Sequence, residues 1–389
     1  MRIVYKRPYS IDLRLNTKCT VHKNFAPASV VLLPNVHLHS IGKDQVSFIE
    51  FDSTIDLLNV RKNPILLVAH LIAARKIITI RRSAFNDIVS QLDEGEERNV
   101  VWMFHTMRCG STIWAQIFDT LPDWSVISES ATMWRTLCDG YKEADINAFS
   151  KTQQYEDVIV AFIKMFIHHT PKGNSILWRA HGIVTDQMVP IIQRRFPKHK
   201  ILFSYRDALS CAKSYHKITK AIPMLKRRIE IMYSDLDNPN PAGESRTSRL
   251  YWASSSQAIH SQHAYRVAKL QPNIFEWYVH LWATKVKLFQ QYQRDGIPIK
   301  CVYYDHLIQN PKAYITRVFD YLGISLAHVE AAAQSMNYDS QAGLTFSRDK
   351  QAAVSTWCRD EAQVNRCNTV LTMLELPDLD SKYMMNDTF

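Results

Sequence analysis

The sequence lacks the paired cysteines that a disulfide framework or a zinc site requires. Its seven cysteines are odd in number, widely spaced and without a CxxC pair, which argues against both and favours a reducing compartment. Long apolar runs are also missing: the best, Ile65 to Ala74, has about half the length of a membrane span, and the N-terminus has no signal-peptide core. We therefore expect a cytoplasmic protein with no membrane partner and no zinc site.

The phosphate-binding pattern GxxxxGK[ST] is absent as well, because no Lys follows Gly110 and no Gly precedes it by five residues. Lys and Arg number 47 against 37 Asp and Glu, and the net charge of +10 favours an anionic partner. The basic clusters are short and scattered, so the sequence predicts no nucleic-acid interface. The 389 residues, 46% of them hydrophobic and 22% charged, have the composition of an ordinary folded protein.

From Asn99 onward, strand-like and helix-like segments alternate, which predicts an α/β fold with a three-layer arrangement: a parallel sheet flanked by helices on both faces. The predicted strands are 99–105, 124–128, 175–179, 200–205 and 299–304. The predicted helices are 111–121, 153–169, 185–195, 207–219, 274–293 and 311–321. A polar region lies at 234–262, and its Pro/Gly/Ser-rich loop 238–248 is predicted to lie on the surface. Ligands are expected at the C-terminal ends of the strands.

The first 97 residues have a different pattern. Short, roughly alternating apolar runs at 3–5, 11–15, 30–33 and 46–51 are broken by prolines, as in short β-strands. An apolar stretch at 65–80 and a helical pattern at 85–92 follow. We expect a β-rich N-terminal subdomain or extension at 1–97, of unknown function, and a second domain at 98–389.

A candidate anion-binding turn follows the first strand of the second domain. The apolar run 100–104 is broken by Gly110, and apolar residues then recur at helical spacing. The first amides of such a helix and its dipole favour an anion. Arg108 adds a fixed charge, Gly110 permits close approach, and Ser111 and Thr112 add hydroxyl donors. Without further support, the segment is equally an ordinary strand-to-helix connection.

A second strand, turn and helix lies about 100 residues later, in FPKHKILFSYRDALSCAKS at 196–214. Arg206 ends the strand with five fixed donors suited to phosphate, Asp207 is a candidate helix cap, and Ser214 lies two turns into the helix. The alternative interpretation is a surface pair of Arg206 and Asp207 with an ordinary helix serine.

Together, the two segments resemble the donor-binding motifs of the sulfotransferase superfamily. MRCGST at 107–112 resembles its loop for the 5′-phosphosulfate group, and the segment 196–214 resembles its 3′-phosphate segment. WRAH at 178–181, the aromatic helix start at 275–280, VYYDHLIQNP with VFDYLG at 302–323, and more weakly SRDK at 347–350 match in order. The resemblance covers about 99–350. Arg108 stands where cytosolic members carry Lys, and Cys109 replaces a usual Ser, which affects the subfamily rather than the family.

The resemblance implies that the donor is 3′-phosphoadenosine 5′-phosphosulfate (PAPS) and that 3′-phosphoadenosine 5′-phosphate (PAP) is a product. Residues of the first loop would hold the 5′ group, and residues of the later segments would hold the 3′-phosphate. His181, at a strand end, would be the general base, and Glu129 is the alternative base. The competing interpretations are a structural or exposed histidine for His181 and a helix-capping or salt-bridged carboxylate for Glu129. The implied donor-binding residues are Arg108, Cys109, Gly110, Ser111, Thr112, Arg206, Ser214, Ser347 and Arg348.

The sequence therefore predicts a PAPS-dependent sulfotransferase that acts on a hydroxyl or amine of a small molecule or glycan, without a metal. In this scheme Arg108 would also stabilise charge on the leaving phosphate. The alternatives are a P-loop kinase of a small metabolite, for which the P-loop Lys is missing, and a non-catalytic nucleotide-binding or interaction module. The sequence carries no indication of the oligomeric state.

Overall fold

The computed structural model describes most of the chain. The described residues are 2–3, 20–21, 24–59, 61–63, 65–92, 97–130, 132–136, 152–180, 186–220, 267–271, 273–342, 347–352, 354 and 357–389. The predicted polar region at 234–262, the apolar run at 11–15 and His181 lie outside them. Among the described residues, no helix combines the length and the apolar character needed to cross a membrane.

An antiparallel sheet forms from the N-terminal residues. Its strands lie in the order β2-β1-β5-β4-β3. The apolar side chains of β3 and β4 are buried, and Val46 and Phe48 are fully buried. The β-rich character predicted for this region is therefore confirmed. The strands are β1 Arg2–Ile3, β2 Thr20–Val21, β3 Val36–Ile41, β4 Gln45–Glu50 and β5 Lys76–Arg81.

The other sheet has five parallel strands in the order β10-β9-β6-β8-β7. Every residue of β6 is buried, as expected for a strand that is covered on both faces. Flanked by helices, this sheet confirms the predicted α/β class. The strands are β6 Val100–His105, β7 Trp124–Ser128, β8 Ser175–Arg179, β9 Lys200–Tyr205 and β10 Ile299–Tyr303.

Helices connect the strands of both sheets. Short 3-10 turns lie at Ala28–Leu32, Asp186–Met188 and Leu326–His328. The α-helices of the described residues are α1 Leu66–Ala73, α2 Arg82–Ser90, α3 Ser111–Phe118, α4 Thr132–Arg135, α5 Gln153–His168, α6 Val189–Arg195, α7 Ala208–Lys220, α8 Ile274–Arg294, α9 Tyr304–Gln309, α10 Pro311–Leu322, α11 Val329–Ser335, α12 Arg348–Ala352 and α13 Glu361–Met373.

The chain divides into two compact units, 1–100 with 123–199 and 101–122 with 200–389. In the first, the Thr152 hydroxyl caps α5 by accepting from the Tyr155 amide at 3.2 Å. Phe162 and Phe166 of α5 pack on Trp178 of β8, with ring centroids 5.1 and 5.3 Å apart. The predicted boundary at residue 97 stays a prediction.

The second unit is organised around the long helix α8. Asn273 caps it by accepting from the Glu276 amide at 3.0 Å, and the fully buried Glu276 accepts from Arg366 of α13 at 2.7 Å. Phe289 stacks on Phe203 of β9 with centroids 4.0 Å apart. The stacking of Phe289 on Phe203 attaches α8 to β9, the strand that leads into the second predicted binding segment.

The predicted elements of the parallel sheet agree closely with the structure, and strands 124–128, 175–179 and 200–205 match residue for residue. The predicted strand at 30–33 is wrong, since Ala28–Leu32 is a 3-10 turn. Pro27 and Pro34 flank this short run, and proline cannot donate to a sheet ladder. The apolar stretch at 65–80 divides into α1 and β5, and the tail contains the helix α13.

Candidate functional site

The turn between β6 and α3 has an unusual backbone. Met107, Arg108 and Gly110 have φ angles of 60°, 49° and 82°, in the left-handed region that residues with a Cβ rarely adopt. Cys109 between them is not left-handed. Gly110 caps α3, and the Ile113 amide returns to its carbonyl at 2.9 Å. Turns that contain left-handed residues can direct successive amides into one concavity.

The carbonyl groups of this turn point into the protein. The Tyr278 hydroxyl donates to the Thr106 oxygen and, at 2.6 Å, to the Met107 oxygen. The Cys211 thiol lies 3.6 Å from the Met107 oxygen and 3.7 Å from the Arg108 oxygen. The Ser204 hydroxyl lies 3.5 Å from the carbonyl of residue 109.

The amides of Arg108, Cys109 and Gly110 consequently point the other way, because C=O and N–H of a trans peptide are opposed. Within the described part of the chain, no acceptor pairs with these three amides. No acidic residue lies in the first turn of α3. Three adjacent donors ahead of a helix N-terminus are suited to the oxygens of a phosphate or sulfate group.

Arg108 adds a positive charge whose partners are neutral. Its Nε donates to the Ser214 hydroxyl at 3.0 Å, and its Nη1 donates to Gln341 Oε1 at 3.1 Å. Among the described residues, no carboxylate forms an ion pair with it. Burial lowers the pKa of Arg108, yet guanidinium stays protonated at neutral pH. A half-buried charge with only neutral partners is stabilised by an anionic ligand.

The rest of the predicted loop is packed inward. The Cys109 thiol is buried and donates to the Ser204 carbonyl at 3.2 Å, so its side chain faces β9 and only its amide is directed outward. Ser111 and Thr112 are both buried in the first turn of α3. The sequence pattern identified Cys109 as a candidate binding residue, but it did not show that the amide and not the thiol of this residue faces outward.

Gly110 lies directly against the ring of Tyr304. A Cβ built on this glycine would lie 2.4 Å from Tyr304 Cδ2, far closer than van der Waals contact. The same ring also contacts a cation, since the Arg206 guanidinium carbon lies 4.4 Å from the Tyr304 ring centroid, a cation–π distance. The glycine is therefore required by packing as well as by its φ angle.

Arg206 lies at the end of β9, as predicted, and contacts two carboxylates. Its Nε lies 3.4 Å from Asp305 Oδ1 and 3.8 Å from Asp207 Oδ2. The Trp282 indole donates to its carbonyl at 2.8 Å. Within the described residues its guanidinium makes no hydrogen bond, and its side chain keeps 28% of its exposure. The alternative Arg206–Asp207 ion pair is thus present, although Asp305 is the nearer partner.

The Ser214 hydroxyl accepts from Arg108 Nε at 3.0 Å. Ser347 is buried, and Arg348 begins α12; the side chain of Arg348 is outside the described part. The structure therefore joins the two predicted motifs through Arg108 and Ser214, on elements that lie in the same compact unit.

Glu129 belongs to the first compact unit and is held by an arginine. It follows β7 with a φ of 50°, and its Oε1 accepts from Arg179 Nη1 at 2.9 Å. Arg179 is almost fully buried and also donates to the Ser128 hydroxyl at 2.7 Å. The contact with Arg179 therefore occupies one of the two carboxylate oxygens of Glu129. His181, two residues beyond Arg179, lies outside the described residues.

Sequence reasoning missed several contacts that shape the turn. Tyr278 was included only within an aromatic helix start, and Tyr304 with Asp305 only within the motif VYYDH. Cys211 was included only within the segment 196–214, and Gln341 was in none of the predicted motifs. Their contacts with the turn join residues more than 100 positions apart in the sequence. In the described residues, no cluster of His, Cys, Asp or Glu is arranged to hold a metal ion.

No protein-family model and no curated protein sequence matches this chain. Among solved structures, it is similar to a sulfotransferase from Alicyclobacillus acidocaldarius, with 13% sequence identity and a TM-score of 0.32. The match covers 59% of this chain and 82% of that chain.

Proposed function

We propose that this protein is a sulfotransferase that uses PAPS as its donor. The observation that carries the proposal is the turn at 106–110, where three unpartnered amides of the described chain adjoin Arg108, an arginine with neutral partners only. This set of donors fits a doubly charged oxyanion group. The motifs around Arg108 and Arg206, which resemble those of sulfotransferases, favour a 5′-phosphosulfate over other phosphates.

In the proposed reaction, the sulfur–oxygen bond to the donor phosphate breaks while a bond to the acceptor oxygen or nitrogen forms. The sulfuryl group passes to the acceptor, PAP leaves, and the acceptor proton goes to a base. Arg108 and the amides of residues 108–110 would hold the 5′-phosphate and stabilise the charge that accumulates on it. Because guanidinium does not release its proton, the role of Arg108 is electrostatic.

Arg206 is the proposed ligand of the 3′-phosphate. Its present partners, Asp305 at 3.4 Å and Asp207 at 3.8 Å, make no hydrogen bond with it, so a phosphate that offers good geometry competes effectively with them. By binding the 3′-phosphate, the Arg206 guanidinium would favour PAP over AMP, which lacks this phosphate. Ser347 and Arg348 remain further candidates for this phosphate.

His181 is the proposed general base, and Glu129 is the alternative. The Oε1 atom of Glu129 is already bound by Arg179 at 2.9 Å, which favours the histidine, since imidazole accepts and releases protons near neutral pH. The proposed acceptor is a hydroxyl or amine of a small molecule or glycan. With a donor in excess, His181→Ala is expected to retain PAP binding and to lose turnover by about 10² to 10⁴ fold.

Calorimetric titration with PAP, AMP and ATP at two salt concentrations tests the donor site. We expect saturable one-to-one binding of PAP, weakened about 10 to 100 fold by Arg108→Ala. Arg206→Ala should lower the preference for PAP over AMP. Arg359→Ala is the matched control, since it removes an equal charge from an exposed ion pair of the same unit.

Two outcomes would contradict the proposal. Equal binding of ATP and PAP by the unmodified protein would return the P-loop kinase or the non-catalytic module to first place. An identical loss of affinity in Arg108→Ala and Arg359→Ala would show that PAP responds to net charge and has no defined site at residues 106–110.

A further inference from the structure

The strained turn at 107–108 requires support from outside its own residues. Met107 and Arg108 are consecutive non-glycine residues with φ angles of 60° and 49°. Each carries a Cβ that disfavours the left-handed region, so the pair persists only where surrounding contacts determine it. The Met107 amide donates to His105 Nδ1 at 3.1 Å, a contact from within the same segment. The contacts with the carbonyl oxygens of Met107 and Arg108 come from two helices of the second compact unit.

Tyr278 of α8 provides the strongest of these contacts. Its hydroxyl donates to the carbonyls of Thr106 and Met107, the latter at 2.6 Å. The side chain is fully buried, and its ring stacks on Tyr215 of α7 with centroids 4.8 Å apart. Burial raises the pKa of Tyr278 well above its ordinary value, which keeps the proton that the hydroxyl donates.

We infer that Tyr278 is a positioning residue for the anion-binding turn. By holding the carbonyls of Thr106 and Met107 inward, its hydroxyl turns the next peptide units so that their amides face the ligand. Since C=O and N–H of one peptide are opposed, the inward Met107 carbonyl directs the Arg108 amide outward. The Cys211 thiol, 3.6 Å from the Met107 oxygen and 3.7 Å from the Arg108 oxygen, supports the same orientation. This inference rests on the proposed anion site, and not on which anion occupies it.

Removal of one hydroxyl tests the inference. Tyr278→Phe retains the ring and its stacking on Tyr215, and deletes only the donor. We expect the dissociation constants for PAP and for inorganic pyrophosphate to rise by about tenfold, the effect of one lost hydrogen bond on the ligand-competent state. Calorimetry measures both ligands, and thermal unfolding measures stability.

Tyr314→Phe is the matched control. Tyr314 is also fully buried in the second unit, and its hydroxyl accepts from the Tyr303 amide at 2.7 Å without contacting the turn. Both variants should lose some thermal stability, whereas only Tyr278→Phe should lose anion affinity. If both variants lose the same affinity, or if neither does, Tyr278 has a structural role only and the inference is wrong.

Two readouts separate this inference from the proposed function. Where the unmodified protein binds PAP and Tyr278→Phe binds it equally well, the inference fails and the proposed function stands. Where the unmodified protein binds pyrophosphate but shows no preference for PAP, and Tyr278→Phe weakens pyrophosphate binding, the donor assignment fails and the inference stands. Should Tyr278→Phe not fold, Cys211→Ala removes the weaker contact: a loss of a few fold in affinity supports the inference, and unchanged affinity overturns it.

Discussion

Replacing Gly110 by alanine tests both the backbone and the packing of the proposed anion site. The φ angle of 82° alone costs a residue with a Cβ about 1 to 2 kcal/mol. The new methyl group would also lie 2.4 Å from Tyr304 Cδ2 and 2.8 Å from Cε2, so the ring or the turn must move. Overpacking of this kind costs about 1 to 3 kcal/mol. We therefore expect Gly110→Ala to lower the free energy of unfolding by about 2 to 5 kcal/mol.

The chain offers a close control for the backbone contribution. Gly296 has a φ of 83°, and no atom lies within 4 Å of a Cβ built on it. Gly296→Ala should therefore show only the left-handed penalty, about 1 to 2 kcal/mol. Urea denaturation of both variants measures the two free energies, and their difference is the cost of the contact with Tyr304. Calorimetry with PAP should show weakened binding for Gly110→Ala and unchanged binding for Gly296→Ala.

A double-mutant cycle identifies the contact itself. Tyr304→Ala removes the ring and with it the obstacle, so the extra cost of Gly110→Ala over Gly296→Ala should disappear in that background. Because Arg206 lies over the same ring at 4.4 Å, the cycle is measured by unfolding and not by ligand affinity. Equal destabilisation by the two glycine substitutions in the unmodified protein would refute the assigned contact between Gly110 and Tyr304.

Two further predictions concern the first compact unit. Burial lowers the pKa of His37 from 6.5 to about 3 and that of His169 to about 4. The unfolded chain therefore binds more protons than the folded chain below pH 6.5, and these two histidines destabilise the fold on acidification. We expect the free energy of unfolding to fall by about 4 kcal/mol between pH 7 and pH 5. His37→Phe should remove about half of this loss in urea denaturation at the two pH values, and an unaltered pH dependence would contradict the assignment. Glu129→Gln should lower the free energy of unfolding by about 3 kcal/mol, since it removes the negative charge that pairs at 2.9 Å with the guanidinium of Arg179, which is 2% exposed. Glu97→Gln, in an exposed pair, should change the free energy of unfolding by under about 1 kcal/mol, and similar effects of the two substitutions would show that Arg179 does not depend on its carboxylate.

Much of the parallel sheet was predictable from the sequence. The strands 124–128, 175–179 and 200–205 are apolar runs bounded by polar residues, so local patterning is sufficient to place them. The turn after β6 was recognisable for the same reason, because a glycine and an arginine stand between a buried strand and an amphipathic helix. Local patterning failed at 30–33, where the flanking prolines keep a short apolar run out of a β-sheet. It also failed at 65–80, where one continuous apolar stretch contains both a helix and a strand.

The sequence by itself determined which residues carry charge and donors near the turn, and in what order along the chain. Only the tertiary structure decided how they are oriented. The inward Cys109 thiol, the neutral partners of Arg108 and the contact of Tyr278 with the turn all join residues that are about 95 to 230 positions apart. Their pairing depends on which strands are neighbours and on how a long helix packs against them. That information is distributed over the whole core, and therefore no local pattern around Arg108 contains it.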